Sequence, residues 1–229
     1  MNRKAVQENE NPGGAHVHIP VPIDATDAFR HDATADILHL LVDNPDTSFS
    51  NRQLHRLTGK GMGNVNGAVR ALEGLGIVQV DRTGRANQVR IDTSRLSTPD
   101  SPVTRIPQSA FHAPIRELIE RITERIGDDA GIVVFGSVAR GTADRSSDID
   151  VLLVVEEGRM DAQREAHRIE DDLASQRFEG DRYASHIIVE TRESAPDHQH
   201  ITQILRDGIT VRETPTLDAV KREVFEDGA

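Results

Sequence analysis

The order of apolar residues predicts three helices and a hairpin in the first half of the chain. Residues 32–42, DATADILHLLV, carry apolar side chains three and four positions apart, which fall on one face of a helix. Alternating apolar and polar residues in 77–91, around a glycine-containing turn, indicate two paired strands. The other two helices are expected over 50–59 and 63–76, and the expected apolar faces comprise Ala35, Leu38, Leu41 and Val42 in the first helix and Val65, Val69 and Leu72 in the third.

The second half alternates strands and helices, which is typical of an α/β domain. An apolar stripe runs through residues 113–127 and predicts a helix, and the short β-branched run GIVVF, 131–135, predicts a buried strand. A second apolar strand is expected to begin at Asp148. A helix over 161–176 and a strand over 183–190 complete the expected elements.

Polar and proline-rich segments divide the chain. Residues 1–15 lack periodicity and predict a disordered arm, and HVHIPVPI at 16–23 alternates like a strand that its prolines confine to an edge. Three helices followed by a hairpin resemble a winged helix-turn-helix domain, an α+β unit. The predicted divisions are the arm at 1–15, the winged helix-turn-helix domain at 16–95, a Ser/Thr/Pro-rich linker at 96–108 and the α/β domain at 109–229.

Composition narrows the class of protein. The chain has no cysteine, which excludes disulfides, thiolate zinc sites and cysteine nucleophiles and favours a cytoplasmic location. No apolar run approaches the roughly 20 residues of a membrane span, and the opening residues lack the apolar core of a signal peptide. The histidines at 16–18 and in DHQH, 197–200, do not follow a zinc-ligand pattern. A net charge of −11 with almost all positive charge on arginine resembles proteins of salt-loving archaea, and an ordinary acidic bacterial protein is the alternative.

A basic region interrupts this acidic chain. Residues 51–95 hold eight arginines and lysines against three acidic residues, a net charge of +5, so the remainder carries −16. Positive charge on a helix-turn-helix and its wing is typical of phosphate binding and indicates double-stranded DNA as a partner. A protein-interaction module whose arginines balance acidic neighbours is the alternative. The candidate DNA contacts are Arg52, Lys60, Asn64, Asn66 and Arg70, with the third helix in the major groove, and Arg82 and Arg85 at the wing tip.

The stretch FGSVARGTADRSSDIDVLLVV, 135–155, carries the candidate chemistry. Gly136 permits a sharp turn, and Ser137 adds a hydroxyl where backbone amides can hold a phosphate. Asp148 and Asp150 stand two positions apart, so both carboxylates point to one face of a strand, about 7 Å apart. Such a pair favours a magnesium ion shared with substrate phosphates. A phosphate site beside a divalent metal predicts phosphoryl or nucleotidyl transfer.

This spacing resembles the signature of the DNA polymerase beta-like nucleotidyltransferase superfamily, in particular its minimal nucleotidyltransferase branch. The resemblance rests on the Gly-Ser pair, on ARG at 139–141 and on SDIDVLLVV at 147–155, and it extends further only through the order of elements. It implies a mixed sheet with flanking helices and a bound Mg²⁺ with ATP as substrate. The residues it assigns are Gly136, Ser137, Arg140 and Ser147 for the nucleotide and Asp148 and Asp150 for the metal and catalysis; a salt bridge to a neighbouring carboxylate is the alternative for Arg140.

The same resemblance implies a third catalytic carboxylate on a later strand. In YASHIIVE, 183–190, Glu190 is the candidate, and it shares a strand face with His186. The family acid is usually flanked by apolar residues near the middle of the strand, where this chain has isoleucines. An exposed glutamate at a strand end is the alternative, and nucleotide binding could then survive without strong catalysis.

These features predict a Mg²⁺-dependent nucleotidyltransferase that transfers AMP from ATP to a hydroxyl of a protein or RNA. Proteins that this one resembles are often antitoxin-like partners that adenylylate a toxin, frequently of the HEPN class, and a fused DNA-binding domain would suit an autoregulated operon. One alternative is a transcription regulator whose second domain only senses nucleotide. Another is a nucleic-acid-modifying enzyme whose first domain holds the substrate. Winged helices commonly dimerise, so a homodimer is a further expectation.

Overall fold

The computed structural model describes residues 15–19, 29–45, 47–84, 86–97 and 101–226. All of the predicted arm except Ala15 lies outside the described residues, and so do Pro20, Pro22 and the wing residue Arg85. We call residues 15–97 the front half and residues 101–226 the back half.

The front half contains the three helices and the hairpin that the sequence predicts. Strand β1 (His16–Val17) pairs antiparallel with β5 (Leu96–Ser97). The helices are α1 (Ala33–Asp43), α2 (Asn51–Thr58) and α3 (Met62–Gly74). Strands β2 (Phe49–Ser50), β3 (Val78–Asp81) and β4 (Gln88–Ile91) form an antiparallel sheet in the order β2-β4-β3.

Local sequence signals define the ends of α2. The Ser50 hydroxyl accepts a hydrogen bond from the backbone N–H of Gln53, whose side chain accepts one from the Ser50 N–H, so a capping box starts the helix. Gly59 ends it in the left-handed conformation at φ +66°, which glycine adopts without steric cost. Both ends were predicted from the sequence and are confirmed.

The apolar face predicted for α1 is partly wrong. Ile37, Leu40 and Leu41 are fully buried, whereas Ala35 is exposed and Leu38 is only half-buried. The helix packs on one side against α3 and on another against the back half, so two neighbours together determine its buried face. In α3 the predicted face of Val65, Val69 and Leu72 is buried and confirmed.

The back half is a four-stranded mixed sheet with helices on both faces. Its strands are β6 (Gly131–Phe135), β7 (Ile149–Val155), β8 (Ser185–Thr191) and β9 (Ile209–Arg212), in the order β8-β7-β6-β9. Strands β7 and β8 run parallel, and the other neighbours run antiparallel. The helices are α4 (His112–Arg125), α5 (Gly136–Ala139), α6 (Arg159–Ser175), α7 (Ile201–Asp207) and α8 (Pro215–Glu226). The mixed sheet with flanking helices agrees with the predicted class.

The two faces of this sheet belong to different hydrophobic cores. On one face, side chains such as Val151 and Ile187 pack with α4 and α6. On the other face, Val133, Leu152 and Val154 join a cluster that includes α7, α8 and all three front-half helices. The front half therefore packs onto α7 and α8, which lie on this second face of the sheet, and the same face also carries the candidate catalytic groups.

A buried polar cluster joins the two halves at the β9 edge. The Asp43 carboxylate, at the end of α1, accepts hydrogen bonds from Arg105 at 2.8 Å and from the Thr210 backbone and hydroxyl at 3.1 and 2.9 Å. Lys221 on α8 lies 3.7 Å from the same carboxylate. The segment predicted as a linker, 96–108, contributes Arg105 and two buried side chains, Val103 and Ile106.

Candidate active site

Asp148 and Asp150 lie at the start of β7, on the face of the sheet that turns toward α7. Asp150 is paired in register with Phe135 at the end of β6 and with His186 near the start of β8. Asp148 is exposed, one residue before the strand. The structure therefore brings the two predicted aspartates to the sheet end where β6 passes into Gly136.

Gly136 lies against the side chain of Asp150. It has φ +72°, in the left-handed region, and a Cβ at this position would lie 2.1 Å from Asp150 Oδ2. Glycine is therefore required both for the turn from β6 into α5 and for room beside the carboxylate. Ser137 follows in the first turn, and no hydrogen-bond partner of its hydroxyl is recorded in the described part of the chain. That hydroxyl remains available to a ligand.

The loop before Asp148 is fixed by its own side chains. The Asp144 carboxylate accepts hydrogen bonds from the Ser146 N–H and hydroxyl and from the Ser147 hydroxyl. The Ser147 oxygen in turn accepts the Asp144 N–H at 3.0 Å. These bonds hold the pKa of Asp144 below its usual range, chiefly through Ser146. Ser147, predicted to bind nucleotide, thus positions the loop that presents Asp148.

Burial and neighbouring charges shift the pKa of Asp150 in opposite directions. Burial is the largest influence and raises the pKa of Asp150, the charge of His186 lowers it, the charge of Asp148 raises it and that of Arg140 lowers it. Arg140 is exposed, and among the described residues it has no acidic partner within 4 Å. A cation between the carboxylates would favour the ionised form of Asp150, because an opposite charge nearby stabilises a carboxylate.

The two carboxylates are suitable ligands for a magnesium ion whose remaining ligands come from a nucleotide and from water. Within the described ranges, no group of three or more His, Cys, Asp and Glu side chains is placed to hold a metal on its own. Magnesium commonly takes only one or two protein carboxylates and completes its shell with water and substrate phosphates. The donor set of Asp148 and Asp150, beside the turn where Gly136 lets the Asp150 carboxylate approach the backbone, suits that mode.

Glu190 does not lie beside the two aspartates, and this placement weighs against its predicted role as the third carboxylate. Its partner across the strands is Val154, four residues beyond Asp150, which corresponds to roughly 13 Å along the sheet. Glu190 is 4% exposed and accepts hydrogen bonds from Arg159 at 3.1 Å and from the Ser194 hydroxyl at 2.5 Å. Its carboxylate thus fixes the start of α6 and the turn after β8.

His186 is the β8 residue that stands beside Asp150. The parallel register places the two residues side by side, and both side chains point to the same face. The sequence pattern SHIIVE shows that residues 186 and 190 share a face, but the register between β7 and β8 decides which of them meets Asp150. A histidine therefore occupies the position nearest the aspartate pair on this strand.

Two of the predicted DNA contacts in the front half, Arg82 and Lys60, form ion pairs within the protein. Arg82 donates two hydrogen bonds to the Glu73 carboxylate, at 2.5 and 2.6 Å, and lowers the pKa of Glu73. Lys60 forms an ion pair with Asp36 at 3.4 Å. It faces the back half across a cleft of about 530 Å³ that Arg140 and other residues line.

The outer face of α3 remains open to solvent. In α3, Arg70 is exposed and Asn64 is half-buried, and Arg52 of the neighbouring α2 is also exposed. Asn66 accepts a hydrogen bond from Asn51 at 2.7 Å, which links α3 to α2. Helices α1 and α2 make the contacts with α7, and the side of α3 that carries Arg70 faces solvent.

Residues 115–211 match the model of a family described as the nucleotidyltransferase domain. The matched segment runs from α4 to β9 and includes the Gly136 turn, both aspartates and His186. It supports assignment of this part of the chain to the nucleotidyltransferase superfamily and a general nucleotidyl transfer activity. No curated protein and no solved structure is significantly similar to the chain. No helix of the described residues combines the length and the apolar character needed to cross a membrane.

Proposed function

We propose that the chain is a Mg²⁺-dependent nucleotidyltransferase that moves AMP from ATP to a hydroxyl of a protein or RNA. The observation that carries this proposal is the contact between Gly136 and the Asp150 carboxylate, with Asp148 two residues away, inside the segment that matches the nucleotidyltransferase domain. This contact joins a turn suited to a phosphate with a pair suited to a divalent metal.

The reaction replaces one phosphate linkage by another. The acceptor oxygen bonds to the α-phosphorus of ATP while the bond from that phosphorus to the bridging oxygen of the β-phosphate breaks. Pyrophosphate leaves with the bonding electron pair, and the hydroxyl proton passes to water. The chain's contribution is to position donor and acceptor and to stabilise the charge that develops on the phosphates.

Each residue of the site has a defined role in this proposal. Asp148 and Asp150 would hold Mg²⁺, which supplies positive charge to the phosphate oxygens when it is bound. The Ser137 hydroxyl donates to a phosphate oxygen, and Gly136 lets the Asp150 carboxylate lie against the turn that carries Ser137. Arg140, exposed and without a recorded ion pair among the described residues, adds a positive charge at the same edge.

The front half is proposed to be a winged helix-turn-helix domain that binds double-stranded DNA. Support comes from the order of α1, α2, α3 and the β3–β4 hairpin and from the open outer face of α3. DNA binding would allow the protein to regulate its own operon as an antitoxin-like partner, with a HEPN-type toxin as the acceptor. A homodimer would match a palindromic operator.

A nucleotide-sensing transcription regulator is the second candidate. The observation that favours it is His186, which stands beside Asp150 where a third carboxylate would complete a catalytic set. A protein that keeps Gly136 and the aspartate pair can bind a magnesium nucleotide without efficient transfer. In that case occupancy of the back half would influence DNA binding through the packed contact between the halves.

The experiment that separates these functions is incubation with Mg²⁺ and α-labelled ATP in the presence of host lysate, at high and low salt. Asp148→Asn/Asp150→Asn is the test variant. Glu157→Gln/Asp171→Asn, which removes two exposed carboxylates of the back half, is the matched control. Label on a protein or RNA band with the parent and the control, but not with the test variant, supports the transferase.

A different result favours the regulator. If the parent binds Mg²⁺ and ATP but labels no acceptor, and if ATP changes its affinity for DNA, the back half senses nucleotide. Labelling that persists in the Asp148→Asn/Asp150→Asn variant contradicts both functions for this site.

A further inference from the structure

A cavity of about 390 Å³ opens beside Gly136 and Arg140, between the sheet and α7. Its apolar wall consists of Phe135 at the end of β6, Ile188 on β8 and Ile204 on α7. The volume is within the usual range of about 300–1,000 Å³ for small-molecule sites, which are mostly apolar with a few polar groups at defined positions. Since Gly136 and Arg140 also belong to the proposed phosphate site, a nucleotide bound there would extend its nucleoside part into this cavity.

The polar rim of the cavity comes from a loop that the proposed chemistry leaves unused. His198 and His200 lie between β8 and α7, with ring centroids 6.3 Å apart and ring planes at 67°. The His198 Nδ1 atom accepts the His200 backbone N–H at 3.3 Å, so the proton of a neutral His198 lies on Nε2. This bond orients the His198 ring before a ligand arrives.

Helix α7 adds the groups that could read the edge of a base. Gln203 is exposed at the rim, and its amide offers both donors and an acceptor. Asp207 accepts two hydrogen bonds from Arg206, at 2.5 and 2.6 Å, which fixes it at the end of the helix. Imidazole rings and apolar side chains provide surfaces on which a base stacks, and stacking is worth more for a larger ring system.

We propose that this cavity binds the purine base and ribose of the donor nucleotide, and that His198 and Gln203 determine its preference for purines. The proposal rests on the proposed nucleotidyltransferase function, since it places the triphosphate at Gly136 and Ser137. It assigns a role to the DHQH segment that does not require a metal.

The test compares ATP with inorganic tripolyphosphate, which carries the phosphates without the nucleoside. Affinities of a non-hydrolysable ATP analogue, the matching CTP analogue and tripolyphosphate are measured by calorimetry with Mg²⁺. The variants are His198→Ala and Gln203→Ala, with His18→Ala, an exposed histidine of the front half, as the control. Circular dichroism and thermal melting establish that each variant is folded.

The proposal expects His198→Ala to weaken binding of the ATP analogue about 5- to 150-fold, because one stacking partner is lost. Binding of tripolyphosphate should stay unchanged, and the preference for the ATP analogue over the CTP analogue should decrease. Gln203→Ala should reduce that preference with a smaller loss of affinity, and His18→Ala should match the parent.

Two results overturn the inference in distinguishable ways. If the parent binds the ATP analogue no more tightly than tripolyphosphate, or if His198→Ala weakens both ligands equally, the cavity does not hold the base although the phosphate site stands. If the parent binds neither ligand with Mg²⁺, the proposed function fails and the base site fails with it.

Discussion

Replacing Asp43 by asparagine tests how the two halves of the protein are joined. The Asp43 side chain is 1% exposed, and its two cationic partners, Arg105 and Lys221, are 14% and 3% exposed. Burial alone would raise the pKa of Asp43, but the charges of Lys221 and Arg105 and the hydrogen bonds from Thr210 outweigh burial and lower it. The carboxylate is therefore ionised in the folded protein, and Arg105 and Lys221 share it as a counter-charge.

The expected loss follows from what the substitution leaves behind. An asparagine keeps the shape and can still accept from Thr210, but Arg105 and Lys221 lose a buried counter-charge. Breaking a buried ion pair from one side typically costs about 3–5 kcal/mol. Lys221 keeps its 2.8 Å contact with Glu213, so we expect the lower end, about 3 kcal/mol of unfolding free energy.

The measurement is chemical denaturation of four proteins: the parent, Asp43→Asn, Lys221→Met and the double variant. The double variant should recover part of the loss, because it removes one of the two cations that Asp43→Asn leaves without a counter-charge. Asp36→Asn is the control, since its ion pair with Lys60 is exposed and such pairs contribute about 0–1 kcal/mol. A loss for Asp43→Asn no larger than that of the control would refute the reasoning.

The stabilisation by Asp43 should also depend on pH. Because the pKa of Asp43 is lower in the folded protein, its stabilisation is present above the unfolded value of about 3.9 and is lost as pH falls through the folded pKa. The stability difference between the parent and Asp43→Asn should therefore shrink as pH decreases below about 4. A difference that stays constant down to acid unfolding would contradict this assignment.

Three further predictions concern the candidate site and the front half. Gly136→Ala should abolish nucleotidyl transfer in the labelling assay, because the added Cβ would lie 2.1 Å from Asp150 Oδ2 at a left-handed φ. Glu190→Gln should retain transfer but lose about 1.5–3 kcal/mol in denaturation, since its buried carboxylate accepts charged hydrogen bonds away from the aspartates. Arg70→Ala should weaken DNA binding and reduce the log–log salt slope by about 1 in a titration, whereas Arg82→Ala, already in an ion pair, should change it less.

A specific result would contradict each of these predictions. Gly63→Ala, where an added Cβ meets nothing within 4 Å, controls for a general effect of replacing glycine, and equal activity of Gly136→Ala would exclude the contact with Asp150 as a requirement. Loss of transfer in a folded Glu190→Gln protein would restore Glu190 as a catalytic group. Unchanged salt slopes in both arginine variants would remove α3 and the wing from any DNA interface.

Short segments of the amino-acid sequence determine much of the local structure. Ser50 and Gly59 set the two ends of α2 through a capping box and a left-handed residue, which depend only on neighbours in the chain. The run GIVVF forms a buried strand as its β-branched content indicates. The spacing from Gly136 to Asp150 likewise predicts a site between the end of one strand and the start of the next, and these two residues do meet where β6 ends and β7 begins.

Contacts between segments that are distant in the chain determine which side chains of these helices and strands become neighbours. Periodicity places His186 and Glu190 on one face, but only the parallel register of β8 against β7 puts His186 beside Asp150 and carries Glu190 four residues away. The predicted apolar face of α1 is shifted for the same reason, since α3 and the back half cover it from two directions.

The order of the elements, the turn at Gly136 and the aspartate pair can therefore be read from the amino-acid sequence. The third residue of the site, the burial of Asp43 and the packing of the front half on the sheet follow only from the folded arrangement. The physical reason is that caps, turns and alternation arise from residues close in the chain. Register and long-range contacts instead depend on which arrangement buries most apolar surface while satisfying every buried charge.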